Sequence, residues 1–411
     1  MAGSGGGVYD ESCWSRYIDV AIDGNTGTSS GGGIYNSYSY TTMTYVTIEG
    51  NRAGPGGWGA GAGIYTLQSR LIMTNALITG NTAVAAGGGI FLRCDSSNPN
   101  VAGILILTNG KITGNQGSHG GGLNNYFMAE TSTSHQGYVC AVFTNVLVAD
   151  NTAVDGSGRG GGIAIQFASV DGSVKGRFTN VTVAGNESRN TSADWGGGGV
   201  NTYNPNPGTP GSTASVNLAA HYDIRFTNSV IWGNTDTAAG TASDNIRDPF
   251  ASGGYTGIIT YIRSLAQGKT DEELNGSGSG GSPGSDNLDS GSYSITHPYL
   301  TGTPLLNAGD NAKYPPTTSA SAAAAFLLNG LTGTWMTNVT NLLSRNLADA
   351  AAADANDTSH AIDYFLKSDV RSAVGARYVY TNAGTTPDTP DPGLYTGRIK
   401  NTTIDLGAYE E

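Results

Sequence analysis

The residues best suited to chemistry are four carboxylates and one guanidinium spread over two successive repeats: Asp150, Asp155, Glu187 and Asp194, with Arg159 among them. Paired carboxylates at a set separation are what glycoside hydrolysis requires. A polysaccharide lyase requires a base and something to neutralise the uronate, often Ca2+ held by several carboxylates. On that reading the working residues are Asp155, Asp194 and Arg159, the last as the cation, and Ca2+ is the one metal to consider. The offsets of the acids within their repeats do not coincide, which is also how solvated loop acids are distributed. His119 and His135 are paired with no cysteine or serine nucleophile in a recognisable motif. The glycine runs lack the lysine and helix of a phosphate loop. No cofactor is expected.

A second chemistry is binding. The residue after each glycine-run aliphatic is Tyr9, Tyr35, Tyr65 and Phe91 in the first four copies, then Asn124, Ala164 and Asn201. Its parity turns it outward, so the four rings predict an aromatic ladder down one face. Near the corner before the glycines lie Trp58, His119, Arg159 and Trp195. Aromatics with a few polar groups are typical of small-ligand sites and can stack on sugar rings. The same rings could instead stabilise the sheet by stacking on one another.

Both possibilities depend on the elements that hold these residues. Glycine triplets followed by an aliphatic residue recur at Gly5–Val8, Gly31–Ile34, Gly87–Ile90, Gly120–Leu123, Gly160–Ile163 and Gly197–Val200, with Gly61-Ala62-Gly63-Ile64 as a variant. Between them lies an Ile/Val-x-Gly-Asn motif ending at Asn25, Asn51, Asn81, Asn115, Asn151, Asn186 and Asn234, with Asp150 replacing the glycine once. Counting from that asparagine, position −8 is large and apolar (Met43, Leu107, Phe143). Position −3 is always Ile or Val, and −5 is Val or small in most copies. A second asparagine stands at −6 in five copies, from Asn75 to Asn228.

Self-similarity at this period means a solenoid, propeller or array. Positions −5 and −3 alternate as one strand and −8 belongs to another. The −6 asparagine sits where they meet, in the left-handed conformation that Asn tolerates. The glycine triplet opens a third strand. Three strands and three corners predict a right-handed single-stranded parallel β-helix of about eight coils, all-β, with the motif asparagines stacked as a ladder. A propeller blade needs more residues and antiparallel hairpins. Triple glycine suits tight corners where stacked coils approach closely; bare backbone could also floor a surface groove.

Composition narrows the function. The chain has 411 residues, 63 of them glycine, and a formal charge of −12. No basic stripe is present, so a nucleic-acid partner is not expected. No apolar run is long enough to form a transmembrane helix. Cys13, Cys94 and Cys140 have no metal spacing and read as buried free thiols, although a Cys94–Cys140 bridge between neighbouring coils is conceivable. The organisation reads as a β-helix over 1–265, a Gly/Ser linker over 266–285, and a capping region over 286–411 that packs on the last coils. In that region Val339, Leu342, Leu343 and Leu347 form one apolar helix face. Met1-Ala2-Gly3 runs straight into a coil motif, so the native N-terminus, with its cap and leader, is expected to lie upstream.

The unit Ile78-Thr79-Gly80-Asn81 before Gly87–Ile90 resembles the repeats of bacterial polymorphic outer-membrane proteins and related adhesin passengers. Thr303–Asn311 followed by Ile404-Asp405-Leu406-Gly407-Ala408-Tyr409-Glu410 is similar to the closing region of choice-of-anchor bacterial surface proteins. The sequence departs from these in lacking their N-terminal entry segment, in separating the two tail motifs by a long stretch, and in having no anchor after Glu411. The resemblance implies a secreted β-helix held at the cell envelope. The expectation is therefore a non-catalytic, adhesin-like, monomeric extracellular or cell-surface protein that binds glycan or another surface ligand along one face. The alternative is a polysaccharide lyase or glycoside hydrolase; a third possibility is a plain spacer.

Overall fold

The motif asparagines stand in one column, and the rest of the fold is organised around it. In the computed structural model, Asn51 donates from its backbone N and from Nδ2 to Asn81 Oδ1 at 2.9 and 3.0 Å, and Nδ2 also reaches Ile22 O at 2.9 Å. The same three bonds recur at Asn81, Asn115, Asn151, Asn186 and Asn234. Each buried amide is thus satisfied by the coils on either side, as buried polar groups must be. The structure describes residues 3–267 except 56–58, 96–101, 129–137, 155–157, 169–172, 190–195, 204–221, 238–244, 248–258 and 263. It also describes 321, 324, 325, 328, 336–356, 399–400 and 403–404.

The chain is a right-handed parallel β-helix with three walls. An eight-stranded glycine sheet runs through Val8–Glu11, Ile34–Ser37, Ile64–Leu67, Ile90–Cys94, Leu123–Met128, Ile163–Ala168, Val200–Tyr203 and Ile246–Arg247. A long sheet contains Trp14–Asp23, Tyr40–Glu49, Arg70–Thr79, Ala102–Thr113, Tyr138–Ala149 and Ser173–Ala184, followed by shorter strands. A narrow sheet of two-residue strands runs from Thr26–Gly27 to Thr235–Asp236. The two strands expected on either side of position −6 are one continuous strand with a bend in the first six coils; around Asn228 they are separate, as Tyr222–Thr227 and Val230–Trp232. Asn75, Asn109, Asn145, Asn180 and Asn228 take φ of 50 to 59° there, and Asp19 and Tyr45 do so in the first two coils. The left-handed corner was legible; the strand it interrupts keeps hydrogen bonding through it.

Each glycine of the triplet has its own reason. Gly31 has φ +69°, and a Cβ on it would lie 2.5 Å from Ile34 O. A Cβ on Gly32 would lie 2.2 Å from Arg52 O in the narrow sheet, and one on Gly33 would lie 3.0 Å from the Asn51 amide. The second and third glycines therefore let the glycine sheet close on the narrow sheet and on the asparagine ladder. All three are buried. They face the interior, so they do not floor a surface groove. In the last coil Asn245 takes the third glycine's place: its backbone O accepts from Gly199 N, and its side chain ends the ladder on Gln267.

One continuous core fills the helix, built on Ile34, Ile64, Ile90, Leu123 and Ile163 from the glycine sheet and on Met43, Leu107, Phe143, Phe178 and Phe226 from the long sheet. A second cluster lies outside the wall. Ile72, Ile104, Ile106, Cys140 and Val142 point out from the long sheet and form one buried cluster with Ala324, Leu328 and, from helix α1 (Met336–Asn356), Val339 and Leu343. Asn346 Nδ2 donates to Met43 O at 2.9 Å and Thr44 Oγ1 at 2.8 Å, while Arg16 pairs with Asp349 at 2.7 Å. The expected helix is present with its expected apolar face, and it packs on the flank of the first three coils. The three cysteines are free. Cys94 belongs to the inner core and Cys140 to the outer cluster, so a bridge between them is not made. Among the described residues no helix is long and apolar enough to cross a membrane.

Candidate functional site

Alternation along the glycine-sheet strands sends two columns of side chains outward. The first is Tyr9, Tyr35, Tyr65, Phe91, Asn124, Ala164 and Asn201, each opposite the next in register. The second, two residues further along each strand, is Glu11, Ser37, Leu67, Arg93, Tyr126 and Gln166.

The aromatic ladder forms as expected. Tyr9 stacks on Tyr35 with centroids 5.1 Å apart, Tyr35 on Tyr65 at 5.1 Å, and Tyr65 on Phe91 at 5.4 Å, with interplanar angles of 8, 3 and 14°. Its accessibility falls steeply along the column. Tyr9 is 53% exposed and Tyr35 half-buried, but Tyr65 and Phe91 are each 6% exposed beneath Ala60 and Ala86. Burial pushes the Tyr65 phenol up to about 12. A ring stacked on two neighbours has both faces occupied, so as a ligand surface the four-ring wall reduces to the free face of Tyr9 and the exposed edge of Tyr35.

His119 and Arg159 hold in the next two coils the place that Ala60 and Ala86 hold in theirs, immediately before the glycines. Ala86, His119 and Arg159 bridge in parallel. Where the column residue is a large ring, the corner residue is small (Ser4, Ser30, Ala60 and Ala86); where the column turns to Asn124 and Ala164, it is histidine and arginine. One coil further on, Asn201 Nδ2 closes the same corner on Gly196 O at 2.6 Å. Arg159 is 7% exposed, and His119 is half-buried.

Trp58, Trp195, Asp155 and Asp194 lie outside the described residues. Of the other acids, Asp150 takes the left-handed corner of its coil with φ 55°, and Glu187 pairs with Arg189 at 2.9 Å in the narrow sheet region. Among the described residues no group of three or more His, Cys, Asp or Glu side chains could hold a metal ion.

Several residues of this face were missed from sequence. Tyr126 tilts against Phe91 with centroids 5.9 Å apart, and Gln166 lies opposite it in register. Both were findable, because each stands two residues after a recognised outward position. Around the corner, Trp14 stacks on Tyr40 at 4.3 Å, and the Arg70 guanidinium lies 5.0 Å from the Tyr40 ring centre. Trp14 and Tyr40 are paired across the same coil step as Tyr9 and Tyr35, so the period could have revealed them.

No protein-family model, curated protein or solved structure matches the chain.

Proposed function

We propose that this chain is a non-catalytic, secreted or cell-surface bacterial protein of the adhesin type that binds glycan on the outer face of its glycine sheet. The observation that supports this is a cluster of exposed rings on the first two coils. Tyr9, Tyr38 and Trp14 are 53, 53 and 65% exposed, with Tyr35 and Tyr40 stacked beneath two of them. The other large apolar side chains of the described wall are mostly buried, so this concentration is selective. Tyr9 and Tyr35 stand on glycine-sheet strands and Trp14 and Tyr40 on long-sheet strands, each paired with the next coil, and Tyr38 N is bonded to Leu67 O at the bend between them, so little ordering entropy is lost when a sugar stacks on these rings.

The test is a glycan array probed with the purified chain, followed by Trp14→Ala and Tyr35→Ala on whatever glycan binds. Loss of binding by about tenfold or more with an unchanged melting temperature supports the proposal. Absence of any bound glycan sinks it, and release of unsaturated or reducing sugar from a polysaccharide replaces it with the enzyme reading.

A further inference from the structure

Further along the same face, at the fifth and sixth coils, three buried amide atoms lack partners. Asn124 is 0% exposed, and neither its Nδ2 nor its Oδ1 has a hydrogen-bond partner. Gln166 is 6% exposed, and its Nε2 has none. They come from adjacent strands: Asn124 is opposite Ala164, and Gln166 is opposite Tyr126. Both point outward, Asn124 in the first column and Gln166 in the second. Ala164, a single methyl, is the residue opposite Asn124. Phe91 and Tyr126 lie beside them, and Arg93 and Tyr126 of the second column are both half-buried.

This is unlike the asparagines elsewhere in the fold. Those of the inner ladder make three bonds each, and Asn201 in the same outward column is bonded to Gly196. Asn36 and Asn180 also have unpartnered amides. Asn36, however, alternates into the core, and Asn180 sits at the bend of the long strand. A buried amide without partners costs on the order of 1–3 kcal/mol. Asn124 sits where a ring or an alanine, as its column neighbours Phe91 and Ala164 are, would incur no such cost.

We infer that Asn124 and Gln166 are the hydroxyl-reading end of the glycan site, and that they take a neutral sugar residue through two adjacent hydroxyls. This rests on the glycan reading and names its ligand class. Donor and acceptor accounting selects the class. The ligand must donate to Asn124 Oδ1 and accept from Asn124 Nδ2 and Gln166 Nε2. A hydroxyl does both, so a vicinal pair satisfies all three atoms. A carboxylate or sulfate only accepts and leaves Oδ1 unpaired; an ammonium only donates and leaves both NH2 groups unpaired. The half-buried Tyr126 ring, backed by Phe91, supplies the apolar surface that a sugar's C–H face requires.

The experiment is titration calorimetry of the full chain with neutral tetrasaccharides (cello-, manno-, xylo- and galacto-configured) and with tetragalacturonate as the charged comparison. The expected result is binding of one or more neutral probes, weakened about tenfold or more by Asn124→Leu and by Gln166→Leu, with a melting temperature unchanged or raised because an unpaired buried amide is gone. Asn124→Asp, which keeps the shape and removes the donor, gives the same loss and guards against misfolding of the leucine variant. If Asn124→Leu and Asn124→Asp bind the neutral probe as tightly as the unaltered chain, the amides hold water only and this inference falls while glycan binding survives. If only tetragalacturonate binds, the ligand class is wrong. If no probe and no array glycan binds the unaltered chain, both readings fall together.

Discussion

Asn81 Nδ2 donates to Asn115 Oδ1 at 2.9 Å and, from its second hydrogen, to Ile48 O at 2.9 Å, so one side chain ties three coils together. Asn115 Oδ1 also accepts from Asn81 N at 3.0 Å. Asn115→Ala strips Asn81 of both contacts and leaves buried donors unpaired. The expected loss is on the order of 3 kcal/mol by chemical denaturation. Asn25→Ala, at the half-exposed head of the ladder, has fewer bonds to lose and costs clearly less. Equal losses at the two positions would show that the ladder is not cooperative.

The two kinds of glycine predict opposite tolerance. A Cβ at Gly24 meets nothing within 4 Å, although φ is +64°. Gly24→Ala therefore pays only for its backbone conformation, about 1–2 kcal/mol. Gly32→Ala places a methyl 2.2 Å from Arg52 O and must push two walls of the coil apart. It is expected to abolish soluble expression or to cost more than about 4 kcal/mol. Circular dichroism and thermal melts of both variants check this.

Tyr65 predicts an alkaline limit. Burial raises its phenol from the ordinary value of 10.0 to about 12 in the folded chain. The unfolded chain therefore loses this proton first. The stability that Tyr65 contributes is complete below pH 10 and is lost between about pH 10 and 12, amounting to at most about 3 kcal/mol. Tyr65→Phe should flatten the fall in melting temperature over that window. An identical alkaline profile in the variant would mean that other groups govern it; Tyr17, also raised to about 12 by burial and by Asp10, is the first to try next.

Helix α1 predicts a change in thiol reactivity. Cys140 belongs to the outer cluster that Leu343 of helix α1 helps to close, and burial pushes its thiol up to about 12. In a Cys13→Ser background, maleimide should label the folded chain very slowly. Leu343→Asp puts a charge into the apolar contact and should speed labelling of Cys140 by an order of magnitude or more, leaving Cys94 of the inner core slow. Equal rates with and without Leu343→Asp would show that the helix does not shield this flank.

Acid should act through Asp223. Burial pushes its carboxyl up, but the hydrogen bond and charge of Arg177, with Arg225 alongside, outweigh that and hold it below the ordinary 3.8. A lowered folded value means that the stabilisation is present above about pH 4 and is lost as pH falls below it. Asp223→Asn should weaken the acid dependence of unfolding measured between pH 5 and 2 and lower stability modestly at pH 7.

Much of this was present in the sequence. The asparagine column, the left-handed bend at Asn75, Asn109 and Asn145, the inward face from Ile48 to Ile112 and the ring order Tyr9, Tyr35, Tyr65, Phe91 all follow from the repeat. One signal was overlooked. The run Ile104-Leu105-Ile106-Leu107 has no alternation, which marks a strand buried on both faces and hence a cover over its outer side.

The sequence by itself determined the coil, because the residues that set it meet their own equivalents one period away. Stacking converts a local pattern into a contact without reference to the rest of the chain. Only the tertiary structure decided which outward residues are accessible. Tyr65 and Tyr9 occupy the same position of the repeat yet differ in exposure by what lies over them, and Ile104 is buried in a cluster that includes Leu328, Val339 and Leu343 from far along the chain. The unpaired amides of Asn124 and Gln166 belong to that second kind of fact, since a hydrogen bond is satisfied or not by whichever groups folding brings within reach.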